Sequence, residues 1–516
     1  MNRMKRLLNF MLVFLTTTGA WALGQPVGGY YLLGSAEDLK AFATGVNNGT
    51  IANPANARLT ADINLNGDNA NQWTPIGTST HMYSGTFDGR GFTIKNLYYK
   101  QQVEGVGLFG HVGHATAPTT IMNVRVEGTI DNSSDGAGAG SDRSQTCAGG
   151  ILGKGYNSNI KIINCSFSGS VISFSNVGGI VGWGSVLIVN CYNEGNVIFH
   201  STQGQTGSGV HGYDGSPTLI NCYNVGNITN NGNSTSFIGA VNISGTATNC
   251  YYRSGCVYNG NGATGSNPDH SGTAMTASDM KAASFVTTLN ANVENLKTTY
   301  PEICNWIVSE GYPVHANRKM TYTIPSSGLG TYSSAFNVSL PEGLKAYYCQ
   351  NYDAQNGTIG VTAIEGTVPA STGVLLRGTA GATYTLTGTN ATAGADADNA
   401  LVAVTTQTSI PQTNDGYTNF GLNGGEFKMV NENGGTVKAN RAYLQILTTA
   451  LQSSQSSTRG IALDWDNETT AIGKEIIVKD VESTSGQWYT IGGRKLAGQP
   501  SQKGIYIVNG KKVVIK

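Results

Sequence analysis

GGIVGWGSVLIVNCYNEGNV, from Gly178 to Val197, is one copy of a unit that this chain repeats. The others are VGLFGHVGHATAPTTIMNVRVEGTI from Val106, GGILGKGYNSNIKIINCSFSGSV from Gly149, SGVHGYDGSPTLINCYNVGNI from Ser208 and FIGAVNISGTATNCYYRSGCV from Phe237. Each joins a glycine-flanked apolar run to a variable turn and then to Asn-Cys-x-x-x-Gly-x-Val or a near variant. The asparagines are Asn123, Asn164, Asn190, Asn221 and Asn249, separated by 41, 26, 31 and 28 residues. Self-similarity at periods of roughly 20–50 residues marks a solenoid.

Composition selects which solenoid. Short runs of Val, Ile and aromatic residues bounded by Gly and Asn read as strands. One such unit cannot bury its own apolar face, so successive units must stack, with parallel strands ~4.8 Å apart. Stacking places equivalent residues in ladders. Cys165, Cys191, Cys222 and Cys250 share one ladder, with Val124 in the same slot of the first coil. Six residues further on, Ile130, Val171, Val197, Ile228 and Cys256 are all apolar and are expected inside. The asparagines before the cysteines are expected to form an amide ladder at a corner, since stacked amides satisfy one another. The fold class is therefore all-β: a right-handed parallel β-helix with short capping helices, followed by a β-sandwich domain and a short β-hairpin tail.

The repeats resemble the GLUG motif, a unit of bacterial surface and secreted proteins. The likeness is carried by GGIVG at 178–182 with NCYNEGNV at 190–197, and more loosely by the other copies. WTPIG at 73–77 and GTFDGRGFTIKNLYY from Gly85 are similar to the segment that leads into such repeats. The resemblance spans about residues 30 to 316. It implies architecture rather than activity, because the unit occurs in adhesins and as an accessory part of secreted peptidases.

Composition bounds the function. Glycine, at 70 of 516 residues, is about twice its usual share, and charged residues are only 12% against ~25%. Formal net charge is zero, which leaves no electrostatic case for nucleic acid or anionic membrane as partner. Residues 1–22 read as a signal peptide: Arg3, Lys5 and Arg6, an apolar stretch from Leu7 to Thr18, then Ala20-Trp21-Ala22 before cleavage at Leu23. An uncleaved anchor is the alternative, although the apolar run is shorter than the ~20 residues a span needs. No later segment could span a membrane, so the protein is expected outside the cell or on its surface, as a monomer.

The β-helix domain is assigned to 23–316. Ser35 with Asp38 forms a capping signal ahead of Leu39, Phe42, Ala43 and Val46, so residues 36–47 are expected to form a helix over the open N-terminal coil. A second helix is expected from Thr276 to Leu289, anchored by Met280, Phe285 and Leu289, followed by closing strands at Trp306 and Gly311–Val314. Asp62-Ile-Asn-Leu-Asn-Gly67 matches half of a calcium-binding EF-hand loop, but position twelve is Trp73 and the alternation is that of a strand, so no metal is assigned.

Eight cysteines in an exported chain raise the question of disulfides. Coil spacing exceeds the ~3.8 Å between Cβ atoms that a disulfide needs, so the ladder four are read as buried thiols. A Cys250–Cys256 link stays open, as does the state of Cys147, Cys304 and Cys349. The residue after each ladder slot should face outward: Arg125, Ser166, Tyr192, Tyr223 and Tyr251. Tyr192, Tyr223 and Tyr251, with Arg125 as a polar end, could be a platform for glycan; alternatively the rings stabilise one another beneath a loop.

After Ala316 the repeats stop. Seven or more short alternating runs between 318 and 468 suggest the β-sandwich. GTVPASTGVLLRG from Gly366 and VKANRAYLQI from Val437 look like a module common near the C-termini of bacterial exported proteins. Residues 469–483 read as a linker or edge strand. Residues 484–516 resemble the C-terminal sorting region of type IX secretion, through Tyr489–Leu496, Lys503–Val508 and Gly510–Lys516, with Asn509-Gly510 as a hairpin turn.

No catalytic constellation emerges: there is no HExxH, GxSxG, CxxC pair or P-loop. A glycosidase needs two carboxylates ~5–9.5 Å apart. The repeats offer only scattered acids: Glu127, Asp131, Asp135, Asp142, Glu194 and Asp214. His111 and His114 read as part of a turn, and His200 and His211 add no ligand set. No catalytic residue, metal site or cofactor is assigned. The leading reading is an adhesin-like surface protein that contacts glycan or host matrix. A carbohydrate-active β-helix enzyme is the alternative, and a purely structural surface component the third.

Overall fold

The computed structural model describes residues 23–113, 117–133, 146–200, 206–213, 215–231, 237–259, 272–391, 393–451, 460–465 and, beyond these, 476–477, 487–490, 495–496, 498, 500, 504–508 and 511–515. The expected signal peptide, His114, Asp135, Asp142, Asp214, most of the 469–483 connection and the Asn509-Gly510 turn lie outside the described residues. Two compact units divide the chain. The first comprises Met1–Ala277 with Ala291–Cys304, and the second Ser278–Asn290 with Asn305–Lys516.

The first unit is a parallel β-helix, with coils that stack in long sheets. One sheet has eight parallel strands, among them Gly85–Asp88, Thr119–Met122, Ile160–Ile163, Leu187–Val189, Thr218–Ile220 and Thr246–Thr248. A second runs through Thr93–Lys100, Arg125–Asn132 and Ser166–Ser173, then divides into Tyr192–Asn193, Tyr223–Asn224 and Tyr251–Arg253 beside Asn196–Phe199, Ile228–Asn230 and Val257–Asn259. The glycine-rich part of each repeat forms two short strands in two further parallel sheets. Gly105–Val106, Cys147–Gly149, Asn176–Gly178, Thr206–Ser208 and Phe237–Gly239 make one. Phe109–Val112, Leu152–Gly155, Val181–Trp183 and His211–Tyr213 make the other.

The chemistry of the repeat explains each corner. All five repeat asparagines sit in the left-handed region, with φ of 57°, 53°, 58°, 55° and 52° in chain order. Among residues with a Cβ, Asn tolerates this conformation best, so it turns the chain where other side chains would be strained. At the next corner a glycine leaves room for a core side chain. A Cβ on Gly150, Gly179 or Gly209 would lie 2.2, 2.2 and 2.3 Å from Phe167, Asn193 and Asn224. Between the corners, Phe87, Ile121, Ile162, Ile188 and Leu219 form one inward ladder, each wholly buried. Each such side chain contributes ~1.5–3 kcal/mol of transfer free energy.

Helix α1 (Ala36–Asn47) begins at Ser35, whose hydroxyl accepts from Asp38 N while the Asp38 carboxylate accepts from Ser35 N. It buries Leu39, Phe42, Ala43 and Val46, with Phe42 against Tyr31 and Tyr83. The second expected helix is two: α2 (Ala277–Lys281) and α3 (Ala283–Leu296), which continues well past Leu289. Met280, Phe285 and Leu289 are buried as anchors. The expected closing strands form an antiparallel pair, Trp306–Ile307 with Val314–His315, rather than another coil. Their hydrogen bonds explain their grouping with the second unit: Asn390 Nδ2 donates to Trp306 O at 3.3 Å and Glu310 N to Ala335 O at 2.8 Å. Residues 305–316 thus group with the second unit.

The second unit is built mainly of antiparallel strands. Strands overlap all seven runs read from the sequence, from Val338–Ser339 to Ala462–Asp464. Tyr347, Cys349, Ile359, Val361 and Leu375 of one sheet share a core with Leu401, Phe420 and Leu444 of another. Near the C-terminus, Gly504–Val508 pairs antiparallel with both Trp488–Thr490 and Lys511–Ile515, and Ile476–Ile477 joins the edge in parallel.

Candidate functional site

The asparagine ladder forms by amide-to-amide bonds. Asn164, Asn190 and Asn221 each donate through Nδ2 to Oδ1 of the corner asparagine one coil earlier, at 2.8 Å in every case, and Asn123 donates to Asp88 Oδ1 at 2.9 Å. Asn249 keeps the corner conformation but is exposed, and Asn221 Oδ1 accepts from Asn292 of α3 at 2.9 Å. Residues 291–304 thus run along this corner as a strap. Asn164 also donates to Glu302 O and Asn190 to Cys304 O, at 2.8 and 2.9 Å, while Cys304 N donates to Asn164 Oδ1 at 3.2 Å.

Beside it, Cys165, Cys191, Cys222 and Cys250 are buried thiols, as are Cys147, Cys256 and Cys349; Cys304 is a partly exposed thiol, and none of the eight is disulfide-bonded. The ladder thiols accept from the Cys N of the preceding coil, as in Cys165 N to Cys191 Sγ at 3.3 Å and Cys191 N to Cys222 Sγ at 3.4 Å. Burial pushes the Cys191 and Cys250 thiols well up.

The tyrosine platform is not a free surface. Tyr192 and Tyr223 alternate outward from the core as expected, yet they are only 1% and 0% exposed. Their rings stack at 5.0 Å and 19°, and Tyr251, partly buried, follows in register. The strap lies along the adjoining corner, with Asn292 Nδ2 3.5 Å from the Tyr251 hydroxyl. Alternation along a strand fixes which side of the wall a residue takes, but it cannot say what later chain covers that side. Arg125 is likewise occupied. It donates to Glu127 Oε1 at 2.8 Å, Glu194 Oε2 at 2.7 Å and the Tyr192 hydroxyl at 3.2 Å, passing over the small Ser166 and Ser168 of the intervening coil. Burial opposes its charge, but Glu194, Tyr192 and Glu127 together outweigh that and hold the guanidinium more firmly protonated than usual. The Glu127 and Glu194 carboxylates are therefore engaged by one cation.

Asp62 is similarly spoken for: its carboxylate accepts from Thr93 N at 2.9 Å and faces Lys95 Nζ at 3.3 Å, within an ordinary strand region. Among the described residues, no three His, Cys, Asp or Glu side chains gather as a metal site.

A different wall carries the exposed chemistry. The residue after the second repeat glycine stands in one register through four coils: His111, Lys154, Trp183 and Tyr213. His111 belongs to a strand, not the turn expected of it, and its imidazole stacks on Tyr156 at 5.7 Å and 19°. Nδ1 lies 3.0 Å from the Tyr156 hydroxyl, which donates to Glu104 Oε1 at 3.3 Å. Lys154, 6% exposed, is ion-paired to the same Glu104 oxygen. Its ammonium stands 5.1 Å from the Trp183 ring centre and 5.5 Å from that of Tyr156. Tyr156 is 37% exposed and Tyr213 41%, with Trp183 half-buried between their levels. Ser244 follows Asn242 by two as Tyr213 follows His211, so a small residue stands at the level above Tyr213.

The electrostatics of this cluster favour neutral hydrogen bonding over proton transfer. The bond from Lys154 holds the Glu104 carboxyl below its ordinary range, and burial lowers the His111 pKa. Burial, then Glu104, pushes the Tyr156 phenol well up, so it remains a donor. The signal was present in the sequence as the residue after Gly110, Gly153, Gly182 and Gly212 in successive copies. It is a weak signal because no residue type recurs at that position, whereas the other half of the repeat is nearly identical from copy to copy.

No protein-family model matches the chain, and no curated protein sequence matches it. Among solved structures, a Bacteroides ovatus protein provisionally named an immunoglobulin A1 protease aligns with a TM-score of 0.40 at 19% identity, over 56% of this chain and 92% of its own. Pantoea stewartii WceF, a glycan biofilm modifying enzyme with a bacteriophage tailspike-like parallel β-helix fold, aligns with a TM-score of 0.11 at 11% identity, over 82% of this chain and 68% of its own. Neither value carries an inference about activity.

Proposed function

We propose that this chain is an exported, adhesin-like surface protein of GLUG-type repeats that holds glycan on the wall of Tyr156, Trp183 and Tyr213. The reading takes the β-helix as right-handed, the second unit as a β-sandwich and the C-terminal strands as a sorting-like tail. One observation carries it: aromatic side chains partly open to solvent on three adjacent coils, beside the polar groups of Glu104, Lys154 and His111. Aromatic rings pack against the apolar faces of sugars while neighbouring donors and acceptors take the hydroxyls. No helix among the described residues is long and apolar enough to cross a membrane.

The enzyme alternative has less support. The Glu127 and Glu194 carboxylates are both held by Arg125, and the phenol and imidazole on the aromatic wall lie beside a cation already neutralised by Glu104. Proton abstraction beside a carboxylate-bearing sugar would need a free cation and a readily ionised base. The test is a glycan array probed with purified wild type and with Trp183→Ala and Tyr213→Ala, each checked by circular dichroism, with the bound glycan analysed for cleavage. Retained, undigested glycan that both variants lose supports the reading. Unchanged binding by the variants, or shortened product, overturns it.

A further inference from the structure

We infer that Glu104 sets the charge class of the ligand: by neutralising Lys154 it restricts the aromatic wall to uncharged glycan chains. The inference rests on the glycan reading of this wall and goes beyond it. Lys154 is the one cation in the four-coil register of His111, Lys154, Trp183 and Tyr213, and it points its ammonium between two rings rather than into solvent. A lysine there would otherwise be an attractive contact for a uronate or sialate carboxylate, because an ammonium beside aromatic faces is partly desolvated and its field is poorly screened. Glu104 removes that attraction. Its carboxylate is 43% exposed, bonded to both Lys154 and Tyr156, and leaves a carboxylate-bearing sugar no unpaired cation to meet.

The remaining surface is amphipathic without net charge. Phenol and indole rings flank an ion pair whose outer oxygen can accept sugar hydroxyls. The register runs along the stacking direction, so ring levels recur at the coil spacing of ~4.8 Å, comparable to one residue of an extended sugar chain. A neutral chain lying along the stack meets a ring at successive residues, which a chain crossing the wall would not.

Two probes separate the possibilities: a neutral β-linked galactomannan and polygalacturonate, each titrated by calorimetry into wild type, Glu104→Gln and Trp183→Ala. Wild type is expected to bind galactomannan with an affinity unchanged between ~50 and ~500 mM NaCl, and polygalacturonate at least about tenfold more weakly. Glu104→Gln keeps the hydrogen-bonding shape but releases the Lys154 charge. It is expected to gain about tenfold or more for polygalacturonate at low salt, and to lose that gain at high salt. Trp183-dependent binding of polygalacturonate by wild type as tight as that of galactomannan would leave the glycan site standing and overturn the charge rule. So would a Glu104→Gln protein with no gain. Absence of binding to both probes in every protein overturns both readings, and the wild-type arms decide the matter even if a variant fails to fold.

Discussion

Replacing Asn190 with alanine tests the corner ladder where it is most connected. The Asn190 amide donates to Asn164 Oδ1 and Cys304 O and accepts from Asn221 Nδ2, so the substitution removes three bonds at a wholly buried site. A buried hydrogen bond contributes about 1 kcal/mol net, and more when its partner is left unsatisfied, which gives ~3 kcal/mol for the three. Alanine must also hold φ near 58°, where a Cβ costs ~1–2 kcal/mol. The expected loss is ~4–5 kcal/mol, and Asn190→Gly should recover about 1 kcal/mol of it by relieving the left-handed strain while leaving the bonds unmade.

A long stack is a poor two-state system, so a single global melt would blur the effect. Native-state hydrogen exchange at amides from Val189 to Asn193 and at Cys304 reads local opening directly. Alanine should lower protection at both places together, because Asn190 joins the strap to the coil. Protection within ~0.5 kcal/mol of wild type, or an equal loss in the alanine and glycine proteins, would refute the argument that left-handed geometry and amide pairing jointly hold this corner.

Three further outcomes follow from the same structure. Native protein should resist alkylation at Cys165, Cys191, Cys222 and Cys250 and react fully on unfolding; mass spectrometry showing linked pairs among them would contradict their free, stacked arrangement. Tyr223→Ala should cost ~3–5 kcal/mol through a lost buried ring while leaving glycan affinity of the folded fraction intact, and Tyr223→Phe should cost far less; chemical denaturation and calorimetry measure the two effects separately. The Glu104–Lys154 pair should stabilise the coil above the ordinary carboxyl range and fade as pH falls through the lowered Glu104 pKa, because the unfolded carboxyl binds its proton first. With Glu104 half exposed the effect is under ~1 kcal/mol, seen as a gap between wild type and Lys154→Met that is full at neutral pH and narrows as pH falls below the ordinary carboxyl range.

Much of the fold was legible because the repeat states its own geometry. Asn-Cys fixes a left-handed corner followed by an inward residue. The apolar position six beyond each slot of the Val124 and cysteine ladder is likewise buried in every coil, from Ile130 to Cys256. The capping box at Ser35 and Asp38 located α1 because its determinants lie within four residues of one another. What local pattern could not show was contact between distant segments. Residues 291–304 carry no repeat, yet they occupy the corner beside Tyr192 and Tyr223 through the Glu302 and Cys304 carbonyls, which leave no mark on side-chain composition, and through the Asn292 amide. The grouping of 305–316 with the second unit has the same origin, since it depends on partners such as Asn390 and Ala335.

That difference bears on how any solenoid wall should be read for function. Stacked coils reward identity, because a residue repeated at one level is solvated or packed by copies of itself, as Asn164, Asn190 and Asn221 bond one another and Tyr192 stacks on Tyr223. A position that serves the stack can therefore remain the same from coil to coil. The register His111, Lys154, Trp183, Tyr213 departs from that economy: no two members are alike, and the lysine requires Glu104 from outside the register to balance it. A stack gains nothing from such variety at a partly exposed level. A ligand laid along the stack does, because each coil can then address a different group on it. The variable register is thus the better candidate for contact, and the uniform one for structure, although the uniform tyrosines have the more familiar look of a binding platform.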